Sequence, residues 1–268
     1  MPVVRDHRRN RGGKSAPDAG AADPGSAPTT LASTVYDRLR HDILAGELAP
    51  GHKLGIEFLN RRYRTGQIPL REALNRLSSD GLVERRDQRG FLVAAVSAED
   101  LRELTKARCL VEGMALRESV AARTAAWEEG IVLAYHRLSR APRSLARNEY
   151  QANPAWEALH REFHRSLIAA CGSRWLLNFC MQLADQSYRY RQIAFKRAFP
   201  MRDTAHGHRA IMEAAIDGNA DKAVRLLQAH LQFTADQVLR NDSALGDASP
   251  EITHGRKKAP VRKPARRA

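Results

Sequence analysis

The sequence has few aromatic residues, only three cysteines and no long apolar run. Aromatic residues make up 6% of the chain. No apolar stretch approaches the ~20 residues that a membrane-spanning helix needs. Cys109, Cys171 and Cys180 lack Cys-x-x-Cys spacing, which argues against a disulfide framework or a thiolate zinc site. The N-terminus is basic but lacks the apolar segment of a secretory signal, so we expect a cytoplasmic protein without membrane association.

Acidic residues are outnumbered by basic ones, and the formal net charge is +14. Such an excess suggests a polyanionic partner. The two ends, 1–30 and 243–268, are basic and rich in Pro, Ala and Gly, so we expect both to be disordered. They either add nonspecific attraction to phosphates or only aid solubility. The remainder has the length of two domains, which we place at 31–96 and 97–242.

Residues 31–96 have the pattern of a helix-turn-helix domain. Apolar periodicity predicts a first helix from about Ser33, with Ser33 or Thr34 as its N-cap. A second helix is expected at about 57–63, and a third helix begins near Pro69. Between the second and third helices the sequence is broken at 65–66, which is the expected turn.

Two strand-like runs, 82–85 and 91–94, follow the helices and predict a hairpin wing. In such a domain the second helix of the motif presents its N-terminal side chains to base edges in the major groove. A solvated basic helical domain is the alternative interpretation. The expected DNA-contacting residues are Gln67, Ile68, Arg71, Arg76, Arg89 and Gly90.

Three segments, 39–51, 69–77 and 80–83, resemble the GntR family of regulators in order and spacing. This resemblance implies a winged helix-turn-helix that binds DNA, with Arg71 as a DNA contact. Gln67 stands where the family usually has its first DNA-contacting arginine. Because glutamine favours adenine and arginine favours guanine, the change implies either a different operator or weaker binding.

Residues 99–239 show helical periodicity with few strand signals, which predicts an all-α domain of about six helices. His160 and His164 are four residues apart and therefore share one helical face. An antiparallel pair of helices could bring His208 and His230 to the same place. Four imidazoles suit a divalent ion; zinc is expected, with nickel or manganese as alternatives. Hydrogen-bonded or surface histidines are the other interpretation.

Segments 101–112, 163–167 and 208–231 resemble the FCD effector domain of FadR-type GntR regulators. The stretches that look closest to the carbon-starvation-induced repressor branch are 160–164, 172–177 and 188–191. The resemblance implies a mainly α fold, with a winged helix-turn-helix followed by an FCD-like helical bundle. His160 replaces the aspartate that usually precedes the first ligand histidine. The implied metal ligands are His160, His164, His208 and His230.

Arg108 lies on the core-facing side of its predicted helix, where a buried guanidinium needs a partner. One candidate is Glu112, four residues away. The FCD resemblance implies another, an effector carboxylate whose second oxygen contacts the metal, since arginine binds carboxylates in a bidentate manner. On that interpretation the effector is a small organic acid and Arg108 binds it.

These features predict a sequence-specific transcriptional regulator rather than an enzyme. We expect a homodimer on a palindromic double-stranded operator, because twofold protein symmetry requires twofold DNA symmetry. The effector would change the relative placement of the domains and release DNA, as in a repressor. Two alternatives stay open: a metal-dependent hydrolase in which the four-His site activates water, and a regulator that senses the metal itself.

Overall fold

A computed structural model describes residues 30–88, 90–146, 151–195 and 205–240. The two basic ends that the sequence predicts to be disordered lie outside these residues, apart from Thr30. The described chain forms an N-terminal module and a C-terminal bundle. The elements of the N-terminal module are α1 (Leu31–Leu44), α2 (Ile56–Tyr63), α3 (Gln67–Ser79), β1 (Val83–Arg86) and β2 (Gly90–Val93).

The N-terminal module has its own apolar core, formed where the amphipathic faces of α1 and α3 meet. Leu70, Leu74 and Leu77 of α3 are fully buried, as their helical spacing predicts. Strands β1 and β2 pair antiparallel, with Val83 opposite Val93. The predicted helix-turn-helix and hairpin wing are therefore confirmed, with α3 beginning two residues before Pro69.

The first helix begins earlier than its sequence pattern indicates. Thr30 is the N-cap, and its side-chain oxygen accepts a hydrogen bond from the backbone N–H of Ser33 at 3.1 Å. The prediction of Ser33 or Thr34 as the cap is wrong. Ala32 is buried, so the packed face of α1 already includes the residue before Ser33.

Replacing Thr30 with alanine is expected to lower the free energy of unfolding by about 1 kcal/mol, because an N–H of the first turn loses its side-chain acceptor. Urea unfolding followed by circular dichroism measures the change. Thr34→Ala is the matched control: its hydroxyl donates to the backbone carbonyl of Thr30, which the substitution of either threonine leaves in place, and alanine has the higher helix propensity. A larger loss in the Thr34 variant would contradict this cap assignment.

The C-terminal bundle contains six helices in the part of the chain that is described, as the periodicity predicts. Among these residues, no helix is both long and apolar enough to cross a bilayer. Helix α4 packs against α7 and α9, and α5 packs against α6. The helices are α4 (Ala98–Ala121), α5 (Ala125–Arg140), α6 (Pro154–Ile168), α7 (Arg174–Phe195), α8 (Ala205–Ile216) and α9 (Ala220–Arg240).

Helix α7 connects the bundle to the N-terminal module. The Gln186 side-chain amide donates a hydrogen bond of 2.9 Å to the carbonyl oxygen that ends α3. Arg189 donates to the carbonyl of Ala94, and the Tyr190 hydroxyl accepts from the amide of Ser97 at 3.2 Å. The end of α3 and the linker into α4 are thus both attached to one helix.

Candidate metal centre and DNA-reading surface

The N-terminal end of α3 presents three predicted DNA-contacting residues to solvent. Gln67 is the first residue of the helix, and Ile68 is 82% exposed. Arg71 is exposed one turn later and has no ionic or hydrogen-bonding partner within the described residues. An exposed isoleucine can contact a thymine methyl group, and free glutamine and arginine side chains can reach base edges. This end of α3 therefore has the chemistry of a major-groove reader.

The other three predicted DNA contacts lie elsewhere. The guanidinium of Arg76 is 4.0 Å from the ring centroid of Tyr36, and its Nη1 lies 3.3 Å from the Ser33 hydroxyl. Arg76 thus contacts α1. Gly90 is exposed at the start of β2 with φ +83°, a conformation that favours glycine. Arg89 lies outside the described residues.

The four predicted metal ligands converge in the bundle. Helix α6 supplies His160 and His164, α8 supplies His208 and α9 supplies His230. One nitrogen from each ring can be chosen so that all four lie within 4.8 Å of one another. Gly207 permits this approach, because a Cβ at that position would be only 3.2 Å from Nδ1 of His230.

The electrostatics of the cluster favour neutral imidazoles. Burial lowers the pKa of His160, His164 and His230 well below its ordinary range, and the charge of Arg191 lowers the first of these further. A neutral imidazole is the form that binds a cation. The histidines are therefore ligand-competent at neutral pH.

His164 provides a direct test of whether this pocket fits a metal ion. Both of its ring nitrogens are buried without a hydrogen-bond partner among the described residues. Leaving buried polar atoms unsatisfied is costly, and a bound ion would satisfy one of them. Four neutral nitrogen donors suit zinc and neighbouring transition metals. The residues present thus fit a divalent ion.

A set of contacts that the sequence did not reveal positions His160. Its ring stacks on Trp156, with centroids 4.7 Å apart. Its Nδ1 lies 3.4 Å from Nη1 of Arg191. The Nη2 of the same guanidinium donates a hydrogen bond of 2.8 Å to Oε2 of Glu157. Burial raises the pKa of Glu157, and Arg191 opposes that rise. Helical spacing could have placed Glu157 and His160 together, whereas the sequence marked Arg191 only as part of the family-like stretch 188–191 and gave it no role at the site.

Arg108 is buried in α4 and pairs with Glu112. Its Nε lies 2.6 Å from Oε1 of that glutamate. The alternative of an intrahelical pair is therefore confirmed. Arg108 also lines a cavity together with His164 and His230, so the pairing does not remove it from the site.

The cavity at the cluster has a volume of about 390 Å³, within the usual range for small-molecule sites. Its walls come from both parts of the chain. Asp37, Arg40, His41 and Leu44 of α1 contribute alongside residues of the bundle. A ligand here would lie between the N-terminal module and the histidines.

The sequence matches two family descriptions. "Bacterial regulatory proteins, gntR family" covers residues 31–93, and "FCD domain" covers residues 103–233. The HTH-type transcriptional regulator BphR of Paraburkholderia xenovorans is 37% identical over 227 residues, which are 85% of this chain and 92% of that protein. The chain belongs to the GntR family. The HTH-type transcriptional repressor GlaR of Escherichia coli is 31% identical over 200 residues, covering 73% of this chain and 90% of GlaR.

Solved structures agree at the level of the fold. Escherichia coli McbR/YncC matches with a TM-score of 0.66 at 19% identity, covering 79% of this chain and 98% of that one. A GntR-type regulator from Rhodococcus matches at 0.62 with 21% identity, covering 78% and 97% respectively. The predicted fold class and the resemblance to FadR-type regulators with an FCD domain are confirmed.

This GntR protein is a DNA-binding transcriptional regulator and not an enzyme, because its family and its named relatives are regulators. The metal-dependent hydrolase considered from the sequence is therefore wrong. The histidine cluster must be explained within a regulator.

Proposed function

We propose that this GntR protein is a homodimeric repressor whose operator binding is controlled by a small organic acid bound at a divalent-metal site. In this proposal residues 31–96 form the DNA-reading domain and residues 97–242 form the effector domain. The observation that carries it is the four-His cluster, three of whose members (His160, His164 and His230) line a cavity that α1 also lines. A ligand there can act on both domains at once.

The metal would be held by His160, His164, His208 and His230, with zinc favoured and nickel or manganese as alternatives. Its contribution when bound is positive charge that attracts a carboxylate oxygen. The chain itself supplies neutral nitrogen donors, and the Glu157–Arg191 pair orients His160. Outer contacts of this kind fix the ring of a ligand histidine.

The acid would be oriented by Arg108. Its Nε is used by Glu112, but a guanidinium has five N–H donors, so others remain for a ligand carboxylate. GlaR is named as a repressor, which supports repression rather than activation as the mode of regulation here. Release of DNA then requires a coupling of ~1–3 kcal/mol between the effector and operator sites.

The operator would be a palindrome read by two copies of α3. Gln67, Ile68 and Arg71 would contact bases, with the wing at Arg89 and Gly90 beside them. Arg76 belongs to the same predicted surface, although its contact with Tyr36 makes it the least available of these residues. Leu110 and Met114, one turn apart on α4, are 62% and 58% exposed, and such an apolar pair supports self-association.

We expect the purified protein to contain a divalent metal by elemental analysis. We also expect an organic acid to raise its melting temperature by about 5–10 °C at a hundredfold excess over Kd. Arg108→Ala should remove this shift. Because that variant leaves Glu112 buried without its partner, Arg108→Met combined with Glu112→Gln serves as the balanced variant. Absence of metal and of any Arg108-dependent shift would remove the sensor but leave the DNA-binding regulator.

A second candidate is a regulator that senses the metal itself. The four protein nitrogen ligands favour it, because closed zinc sites also have four protein ligands. If a chelator alone changes operator affinity when no organic acid is present, the ion is the signal. If chelation changes operator affinity only in the presence of an acid, the organic-acid proposal holds.

A further inference from the structure

The mouth of the cavity contains an ion-pair cluster that neither the histidines nor Arg108 explain. Asp185 of α7 contacts the guanidinium groups of both Arg40, on α1, and Arg161, on α6. All three residues line the cavity. Arg161 directly follows the candidate ligand His160 in the chain. The cluster therefore joins the DNA-reading module to two helices of the effector site.

Among the described residues, the charges around the cavity are balanced before a metal binds. The described walls contain four arginines and three carboxylates, and the pairing of Arg108 with Glu112 adds a fourth carboxylate. A divalent ion on four neutral imidazoles would add two positive charges that no described wall residue cancels. A ligand with one acid group would cancel only one of them, whereas a ligand with two would cancel both.

Asp185 only partly satisfies the two arginines that it contacts. Arg40 and Arg161 both contact the single carboxylate of Asp185, so the two cations are close enough to repel each other. Each guanidinium has five donors, and one carboxylate cannot occupy them all. The pair can therefore accept a second carboxylate, or exchange Asp185 for one.

We propose that Arg40 and Arg161 form a second carboxylate subsite and that the effector is a dicarboxylate. This inference rests on the proposed function. One acid group binds at the metal and Arg108, and the other binds Arg40 and Arg161 in competition with Asp185. Because α1 packs directly on the recognition helix α3, losing the Arg40–Asp185 contact removes one of the contacts that hold the module to α7 and lets α3 shift. The replacement of Asp185 by the second acid group thus makes the site selective for dicarboxylates and couples effector binding to DNA binding.

The test is calorimetric titration of the zinc-loaded full chain with α,ω-dicarboxylates from malonate to adipate, each compared with the monocarboxylate of equal carbon number. The best dicarboxylate should bind the wild type at least about tenfold more tightly than its monocarboxylate. Arg40→Gln and, independently, Arg161→Gln should abolish this preference while leaving monocarboxylate affinity within about twofold. Asp185→Asn should strengthen dicarboxylate binding about tenfold, because the competing charge is gone.

Asp221→Asn is the matched control, since it removes a carboxylate from the 2.7 Å pair with Arg117, neither member of which lines the cavity. It should change nothing. A preference for dicarboxylates that persists in both arginine variants, or an Asp185→Asn variant that binds like the wild type, overturns the subsite and leaves the proposed function standing. If no acid binds the zinc-loaded wild type, the proposed function and the subsite both fail.

Discussion

Replacing Arg71 with alanine is expected to lower operator affinity by about 30-fold to 20,000-fold without unfolding the protein. A bidentate base contact contributes ~1–3 kcal/mol, and a dimer on a palindrome loses it twice. Folding should be unaffected because Arg71 is exposed and makes no ionic contact with the described residues. Fluorescence anisotropy on a duplex selected from a random library by the wild-type protein measures the loss.

Arg137→Ala is the control for charge, because Arg137 is an exposed arginine on α5 of the bundle. It should leave specific binding unchanged. Nonspecific binding should fall only slightly in the Arg71 variant, since most of the phosphate attraction remains. If Arg71→Ala still selects the operator over random DNA as strongly as the wild type, α3 is not the recognition helix.

Replacing His164 with leucine is expected to stabilise the metal-free protein and to abolish its stabilisation by metal. Both ring nitrogens of His164 are buried without a hydrogen-bond partner among the described residues, and an unsatisfied buried group costs about 1–3 kcal/mol. Leucine removes that cost, so the free energy of unfolding without metal should rise by about this amount. Wild type with zinc at a thousandfold excess over Kd should gain about 4 kcal/mol, and the variant none.

Calorimetric unfolding with and without zinc measures both quantities. His136→Leu is the control, because His136 is an exposed histidine on α5, and neither quantity should change. Zinc stabilisation that survives in the His164 variant would show that the ion binds elsewhere. A metal-free variant less stable than the wild type would show that the packing of the buried ring outweighs the cost of its unpaired nitrogens.

The two halves of the protein meet where the proposed ligand would bind. Two consecutive turns of α7 contact the module through Asp185, Gln186 and Arg189, and Arg191 then reaches the histidine cluster. A small shift of this helix therefore changes contacts at both ends. In the proposed metal site, His160 stands where the family usually has aspartate, so a neutral ligand there would leave the full charge of a bound ion for the effector to cancel.

The sequence by itself was sufficient for every feature that depends on local periodicity. The burial of Leu70, Leu74 and Leu77 follows from their 3.6-residue spacing. The common face of His160 and His164 follows from their separation by four residues. Family motifs extended these patterns to the fold class. The sequence determines the ends of helices less well. The N-cap of α1 is Thr30 because Ala32, before the predicted cap, already packs into the core.

Only the tertiary structure decided which distant charges meet. Asp185 lies 145 residues from Arg40 and 24 from Arg161 in the chain, and no spacing rule connects them. Local regularity is set by the hydrogen-bonded geometry of a single helix. Contacts between helices depend on crossing angles and on the side chains of both partners, which a single segment of sequence does not contain.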